Sequence, residues 1–187
     1  MTWLEYVENA ERTANRGPED TQHRRFDMCA LGLVGEAGEI ADGLKKCIFH
    51  DHEFNRDAAL KKLGDLLWYV AIAANTADID LGYLWNDLPQ GVEIEGSPMP
   101  AVSPAIVLAF NASEAALTLN GLSYDSPLPG SARSEIRAKL HPVLAMIALV
   151  AQMFESSLEA VAESNIQKLR QRYPEGFTSE HSIHRTV

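Results

Sequence analysis

Glu36 and Glu39 stand three residues apart in Leu31-Gly32-Leu33-Val34-Gly35-Glu36-Ala37-Gly38-Glu39, and Asp65 follows in Leu63-Gly64-Asp65-Leu66-Leu67-Trp68-Tyr69. On a helix, side chains three apart share one face, so the two glutamates can aim at one point and an aspartate on a neighbouring helix can meet them there. Hard oxygen ligands converging from two helices suit Mg²⁺, which keeps several waters and completes its shell with substrate phosphates. The chemistry this predicts is metal-assisted attack of water on a polyphosphate. Serine, cysteine and histidine form no recognisable triad, and no Walker-type phosphate loop is present.

The elements that must position these acids read as helix throughout, because alternating strand patterns are absent. A first helix is expected from Thr2, its N-cap, to Asn15, ended by Gly17-Pro18. A second runs from Thr21 to Ile48, with Phe26, Ala30, Leu33, Ala37, Ile40 and Leu44 at helical spacing. Gly32, Gly35, Gly38 and Gly43 lie inside it, each costing about 1 kcal/mol against alanine. They therefore predict close approach by another helix or a ligand. A third helix spans Arg56 to Thr76 and a short one Leu81 to Leu88; after a Pro/Gly-rich linker, helices resume over 104–120, 131–154 and 157–172. Ser123–Gly130 reads as a turn, and the tail after Pro174 as irregular.

Laying residues 30–52 on 105–127 discloses a weak internal repeat. Ala30, Leu33, Ala37, Glu39 and Leu44 meet Ala105, Leu108, Ala112, Glu114 and Leu119, and Lys62, Leu63, Leu67, Ala74 and Leu81 meet Lys139, Leu140, Leu144, Ala151 and Leu158. The second copy lacks the acids, with Asn111 opposite Glu36 and Pro142 opposite Asp65, and leaves Glu114 a remnant without partners.

At 187 residues the chain suffices for one domain with a real core. Its net charge of −10 argues against general nucleic-acid binding, which needs a basic footprint; a polyphosphate stays possible because a bound metal inverts the local charge. Cys29 and Cys47 form no CxxC pair and read as buried free thiols of a reducing compartment. The early acids Glu5 and Glu8 leave no visible secretory signal, and the longest apolar run, Leu66–Ala74, is too short to span a bilayer. A cytoplasmic location without membrane or nucleic-acid partners is expected.

The two acidic segments, followed by Asn165-Ile166-Gln167-Lys168-Leu169 and Arg172-Tyr173-Pro174-Glu175-Gly176-Phe177, resemble the MazG-like nucleoside triphosphate pyrophosphohydrolases of the all-α NTP pyrophosphatase superfamily, to which the dimeric dUTPases also belong. The resemblance covers residues 1–88 and 157–178; 89–103 is a linker, 104–156 a degenerate repeat or an insertion, and 179–187 a tail. It implies an all-α MazG-type bundle, a homodimer, and Mg²⁺, with Mn²⁺ as a substitute, held by Glu36, Glu39 and Asp65. Lys62 stands where the family has a fourth acid. That leaves open a site with fewer metals, a ligand borrowed from Glu53 or Asp57, a weakened site, or a lysine that itself contacts phosphate. Asp42 continues the acidic stripe as a further candidate. Asn165, Lys168 and Arg172 match the family's last segment and share one helix face suited to phosphate and sugar, while Tyr69 could meet the base or sugar. Trp68 is expected in packing, and His50, His52 and the Lys45-Lys46 pair as solvated charge.

The implied activity is hydrolysis of a nucleoside or deoxynucleoside triphosphate to monophosphate and pyrophosphate, clearing excess or non-canonical nucleotides. Glu36, Glu39 and Asp65 would be catalytic, and Lys62, Tyr69, Asn165, Lys168 and Arg172 would bind substrate. The alternatives are a catalytically weak nucleotide-binding or regulatory protein of the same fold, and a pyrophosphohydrolase of another substrate such as phosphoribosyl-ATP.

Overall fold

The computed structural model describes residues 1–15, 17, 20–87, 101–122 and 128–183. Among them the chain is all-α: α1 (Trp3–Glu11), α2 (Gln22–Phe49), α3 (Arg56–Thr76), α4 (Gly82–Asp87), α5 (Val102–Asn120), α6 (Gly130–Met153), α7 (Leu158–Arg172) and α8 (Ser179–Ile183). Pro18, most of the linker at 89–103, the turn at 123–127 and His184 lie outside the described residues.

Local chemistry sets the starts. Thr2 and Glu5 form a capping box, Glu5 N donating to Thr2 Oγ1 at 3.2 Å and Thr2 N to Glu5 Oε2 at 2.7 Å. Thr21, Asn55 and Ser157 cap α2, α3 and α7 by accepting from the third residue on. The end of α1 departs from expectation: it stops at Glu11, short of Asn15. Beyond it, the Ala10 carbonyl accepts from Thr13 N, Thr13 Oγ1 and Trp68 Nε1, so tertiary partners replace continued helix. The tail is also more regular than expected, since α8 forms at Ser179–Ile183.

α2 packs on α3 and α5, and α6 on α5 and α3, closing a four-helix arrangement; α7 and α1 cover α3. The positions paired in the internal repeat are buried in both halves: Leu33 and Leu108, Ala37 and Ala112, Leu63 and Leu140, Leu67 and Leu144. Pro142 is accommodated inside α6. By length and composition α5 and α6 are apolar enough to cross a membrane, with mean hydropathy of 1.4 and 1.3 over their best windows; here they pack on α2 and α3. Leu31 and Val34 on α2 and Ile106, Phe110 and Leu117 on α5 stay exposed.

A buried polar tie fastens α1 to this frame. Arg25 of α2 donates from both terminal nitrogens to Glu11, each at 3.0 Å, and Asn75 Nδ2 donates to Glu11 Oε1 at 2.7 Å. Glu11 is only 7% exposed. Burial opposes the charge on Arg25, but Glu11 and Asp20 outweigh it and raise its pKa.

Two glycines explain how the helices approach. A Cβ on Gly32 would lie 2.3 Å from the Tyr69 ring, and one on Gly64 3.0 Å from Cβ of Asn165. Gly64 thus admits α7 against α3 at the level of Asp65. Gly35, Gly38 and Gly43 have nothing within 4 Å of such a Cβ, so helix packing requires only one of the four α2 glycines. Gly176, at φ +101°, turns the chain after Tyr173-Pro174 back towards α1, where Arg12 donates to the Pro174 carbonyl at 3.3 Å.

Candidate functional site

α2, α3 and α7 bring together Glu36, Glu39, Lys62, Asp65, Asn165 and Lys168. Lys62 Nζ lies 2.6 Å from Glu39 Oε2 and 3.2 Å from Glu36 Oε2, between the two carboxylates. The second distance is an ion-pair approach without hydrogen-bond alignment, and Glu36 Oε2, though buried, has no hydrogen-bond partner. Asp65 Oδ1 accepts from Lys168 Nζ in a short charge-assisted bond, and from Asn165 Nδ2 at 3.3 Å. Tyr6 OH donates to Asn165 Oδ1 at 3.0 Å.

The electrostatics follow from this geometry. Burial pushes the Glu36 carboxyl above the usual range, and the charges of Asp65 and Glu39 add to it, against the pull of Lys62. Burial opposes the charge on Lys62, yet Glu39 and Glu36 outweigh it and raise its pKa, so it stays an ammonium. Burial, and then Asp65, holds the Tyr6 hydroxyl well above its ordinary value, so it remains a donor.

Several expectations are revised. Asn165, expected to bind substrate, is buried: its oxygen accepts from Tyr6 and its nitrogen donates to Asp65. Asp42 does not join the acids, because Lys45 and Lys46 hold it at 2.5 and 2.7 Å. Asp57 lies exposed beside Arg56 at 3.8 Å. Arg172 is half-buried and pairs with none of the cluster acids, and Tyr69 packs over Gly32. Trp68 packs against the core as expected, donating to Thr13 Oγ1 at 3.0 Å. Cys29 is buried, and burial raises its thiol pKa, whereas Cys47 is only half-buried. Glu114 does have a partner, Lys139, at 3.2 Å.

Sequence reasoning missed two features. Tyr6 sits on the apolar face of α1 between Trp3 and Ala10; the one signal for it is that a buried tyrosine needs a partner for its hydroxyl. The other is a cavity of about 240 Å³ beside Glu39 and Lys62, also lined by Gly43, His52, Glu53 and Phe54. The open side of Gly43 helps to form it.

The arrangement does not fit the implied Mg²⁺ or Mn²⁺. An ammonium stands between Glu36 and Glu39, and Asp65 is committed to Lys168 and Asn165. Among the described residues no group of three or more His, Cys, Asp or Glu comes together as a metal site. Chemically the cluster holds two ammonium groups, Lys62 and Lys168, each paired with carboxylates, and a buried Glu36 oxygen that faces Lys62 without an aligned hydrogen bond.

Comparison with known proteins adds one similarity. The chain is 50% identical over 54 residues to the Gene 37 protein of Mycobacterium phage L5, across 26% of this chain and 46% of that protein, so the matched part is under half of the relative's length. No family model matches the chain, and no solved structure does.

Proposed function

We propose that the α2–α3–α7 cluster binds a nucleoside or deoxynucleoside triphosphate and hydrolyses it to monophosphate and pyrophosphate, as the resemblance to MazG-like pyrophosphohydrolases implies. The observation that supports it is the convergence of all three resembling segments on one cluster: Glu36 and Glu39, Lys62 and Asp65, and Asn165 and Lys168. Lys62 and Lys168 would take phosphate oxygens and stabilise the charge developing on them. Glu36, whose Oε2 faces Lys62 at 3.2 Å without an aligned hydrogen bond, would orient the attacking water or take its proton. Asn165, steadied by Tyr6, would hold Asp65 in place. Attack at the α-phosphorus would release pyrophosphate. The cavity beside Glu39 would accept the flat base against Phe54. The biological role is removal of excess or non-canonical nucleotides in the cytoplasm. A homodimer belongs to this proposal, supported by the exposed apolar side chains of α2 and α5.

A second reading, binding without turnover, is favoured by Lys62. A lysine that neutralises the two glutamates also weakens them as bases. Product analysis against a panel of NTPs and dNTPs separates the two. Monophosphate and pyrophosphate, abolished by Glu36→Gln, support hydrolysis. Equilibrium binding with no product supports the second reading.

A further inference from the structure

We infer that Lys62 is a built-in counter-ion that lets this cluster take a polyphosphate without a divalent metal. The inference rests on the nucleotide-site proposal above and concerns what balances charge there. Three carboxylates, Glu36, Glu39 and Asp65, face two ammonium groups, Lys62 and Lys168. Lys62 is 35% exposed and Lys168 24%, so both are held against their carboxylates rather than free in solvent. A lysine has three donors and no lone pair while protonated; placed 2.6 Å from Glu39 and 3.2 Å from Glu36, it can hold both acids and still turn a proton to a phosphate oxygen.

The second half of the bundle supplies an independent observation. Lys139 of α6 reaches Glu114 of α5 at 3.2 Å, at the positions equivalent to Lys62 and Glu39. There the acids opposite Glu36 and Asp65 are absent, with Asn111 and Pro142 in their places. The interhelical Lys–Glu pair is therefore a device this bundle uses even where no acidic cluster exists. In the first half the same device sits inside the cluster, where Lys62 and Lys168 together offset two of the three carboxylate charges.

Two titrations on the full chain test this, with Lys62→Glu and Lys62→Gln as variants. The first uses Mn²⁺ alone, read by electron paramagnetic resonance. Wild type should bind none at the cluster, while Lys62→Glu, presenting four carboxylates, should bind Mn²⁺ and lose it again on Glu39→Ala. Stoichiometric Mn²⁺ on wild type that Glu39→Ala removes would overturn the inference, as would a folded Lys62→Glu that binds none. The second uses inorganic tripolyphosphate and the four dNTPs, in EDTA and in Mg²⁺. Wild-type affinity should agree between buffers within about twofold, and Lys62→Gln should weaken it about tenfold or more in EDTA. Binding that appears only with Mg²⁺, or a Lys62→Gln affinity equal to wild type, would overturn it. Should Lys62→Glu fail to fold, the Lys62→Gln comparison still decides. Binding in neither buffer would remove the nucleotide site and the inference with it; the Mn²⁺ titration distinguishes that failure from an error about Lys62 alone.

Discussion

In the first half of the bundle Lys62 of α3 reaches Glu39 of α2 at 2.6 Å; in the second, Lys139 of α6 reaches Glu114 of α5 at 3.2 Å. Around these matched pairs the halves diverge. Glu36 brings a second carboxylate to Lys62, whereas Asn111 turns its amide back to the Val107 carbonyl at 2.8 Å. Asp65 meets α7 through Asn165 and Lys168, whereas Pro142 offers no acid. Gly32, Gly35 and Gly38 correspond to Val107, Phe110 and Ser113; Gly32 admits the Tyr69 ring and Gly35 and Gly38 face open space, whereas Val107 and Phe110 are exposed apolar side chains. One scaffold thus carries a polar cluster in one half and an apolar surface in the other. The difference lies in a few positions set on the same buried ladder.

The largest expected effect concerns the tie between the first half and α1. Arg25→Met takes the guanidinium from the buried Glu11 carboxylate, which keeps the Asn75 amide but loses this charge partner, and chemical denaturation should show a loss of about 3–5 kcal/mol. A loss within the surface range would mean that Glu11 finds solvent.

The functional contrast comes next. Asp65→Asn should reduce nucleotide turnover, or binding if that is what the site does, by about 100-fold. Glu114→Gln, the matched acid of the second half, should leave either within about twofold. Equal effects from the two would erase the distinction between halves.

The glycines give a graded test. Gly32→Ala must displace the Tyr69 ring and should cost about 1–3 kcal/mol. Gly38→Ala enters open space on a helix, and thermal unfolding should show a gain of up to about 1 kcal/mol. If Gly38→Ala keeps the fold yet abolishes nucleotide binding, the open face of α2 belongs to the ligand.

Smaller still is Lys139→Ala, which removes a part-exposed pair and should cost less than about 1 kcal/mol. The smallest effect is at Asp42, where Lys45 and then Lys46 hold the carboxyl down to about 2. A group with a depressed folded pKa contributes its stability above the ordinary carboxylate value and loses it as pH falls towards about 2. Carboxyl-carbon NMR should place the Asp42 midpoint there, with little change in stability because the ion pairs lie at the solvated surface of α2. A midpoint at the ordinary aspartate value would dissolve the triad.

Helix identity was readable because its signals are local. The Thr2 cap and the apolar spacing of α2 and α3 each act within a few residues. The end of α1 was not, because Trp68, far along the chain, captures the Ala10 carbonyl. Glu36, Glu39 and Asp65 could be grouped from spacing, since a helix fixes which residues share a face. The partner of each acid could not. Asn165 and Lys168 look alike as polar residues of one face, yet Gly64 draws α7 close enough to bury the amide.

By itself, then, the sequence determined an all-α chain, the faces of its helices and the candidate acids upon them, because periodicity and capping operate over one or two turns. Tertiary structure alone decided that Lys62 stands between Glu36 and Glu39, that Asp65 belongs to Lys168 and Asn165, that Tyr6 steadies them, and that Lys139 repeats the pair in the second half. Those are contacts between elements. Ion pairing and desolvation depend on distances of a few ångströms that no spacing along one helix can specify.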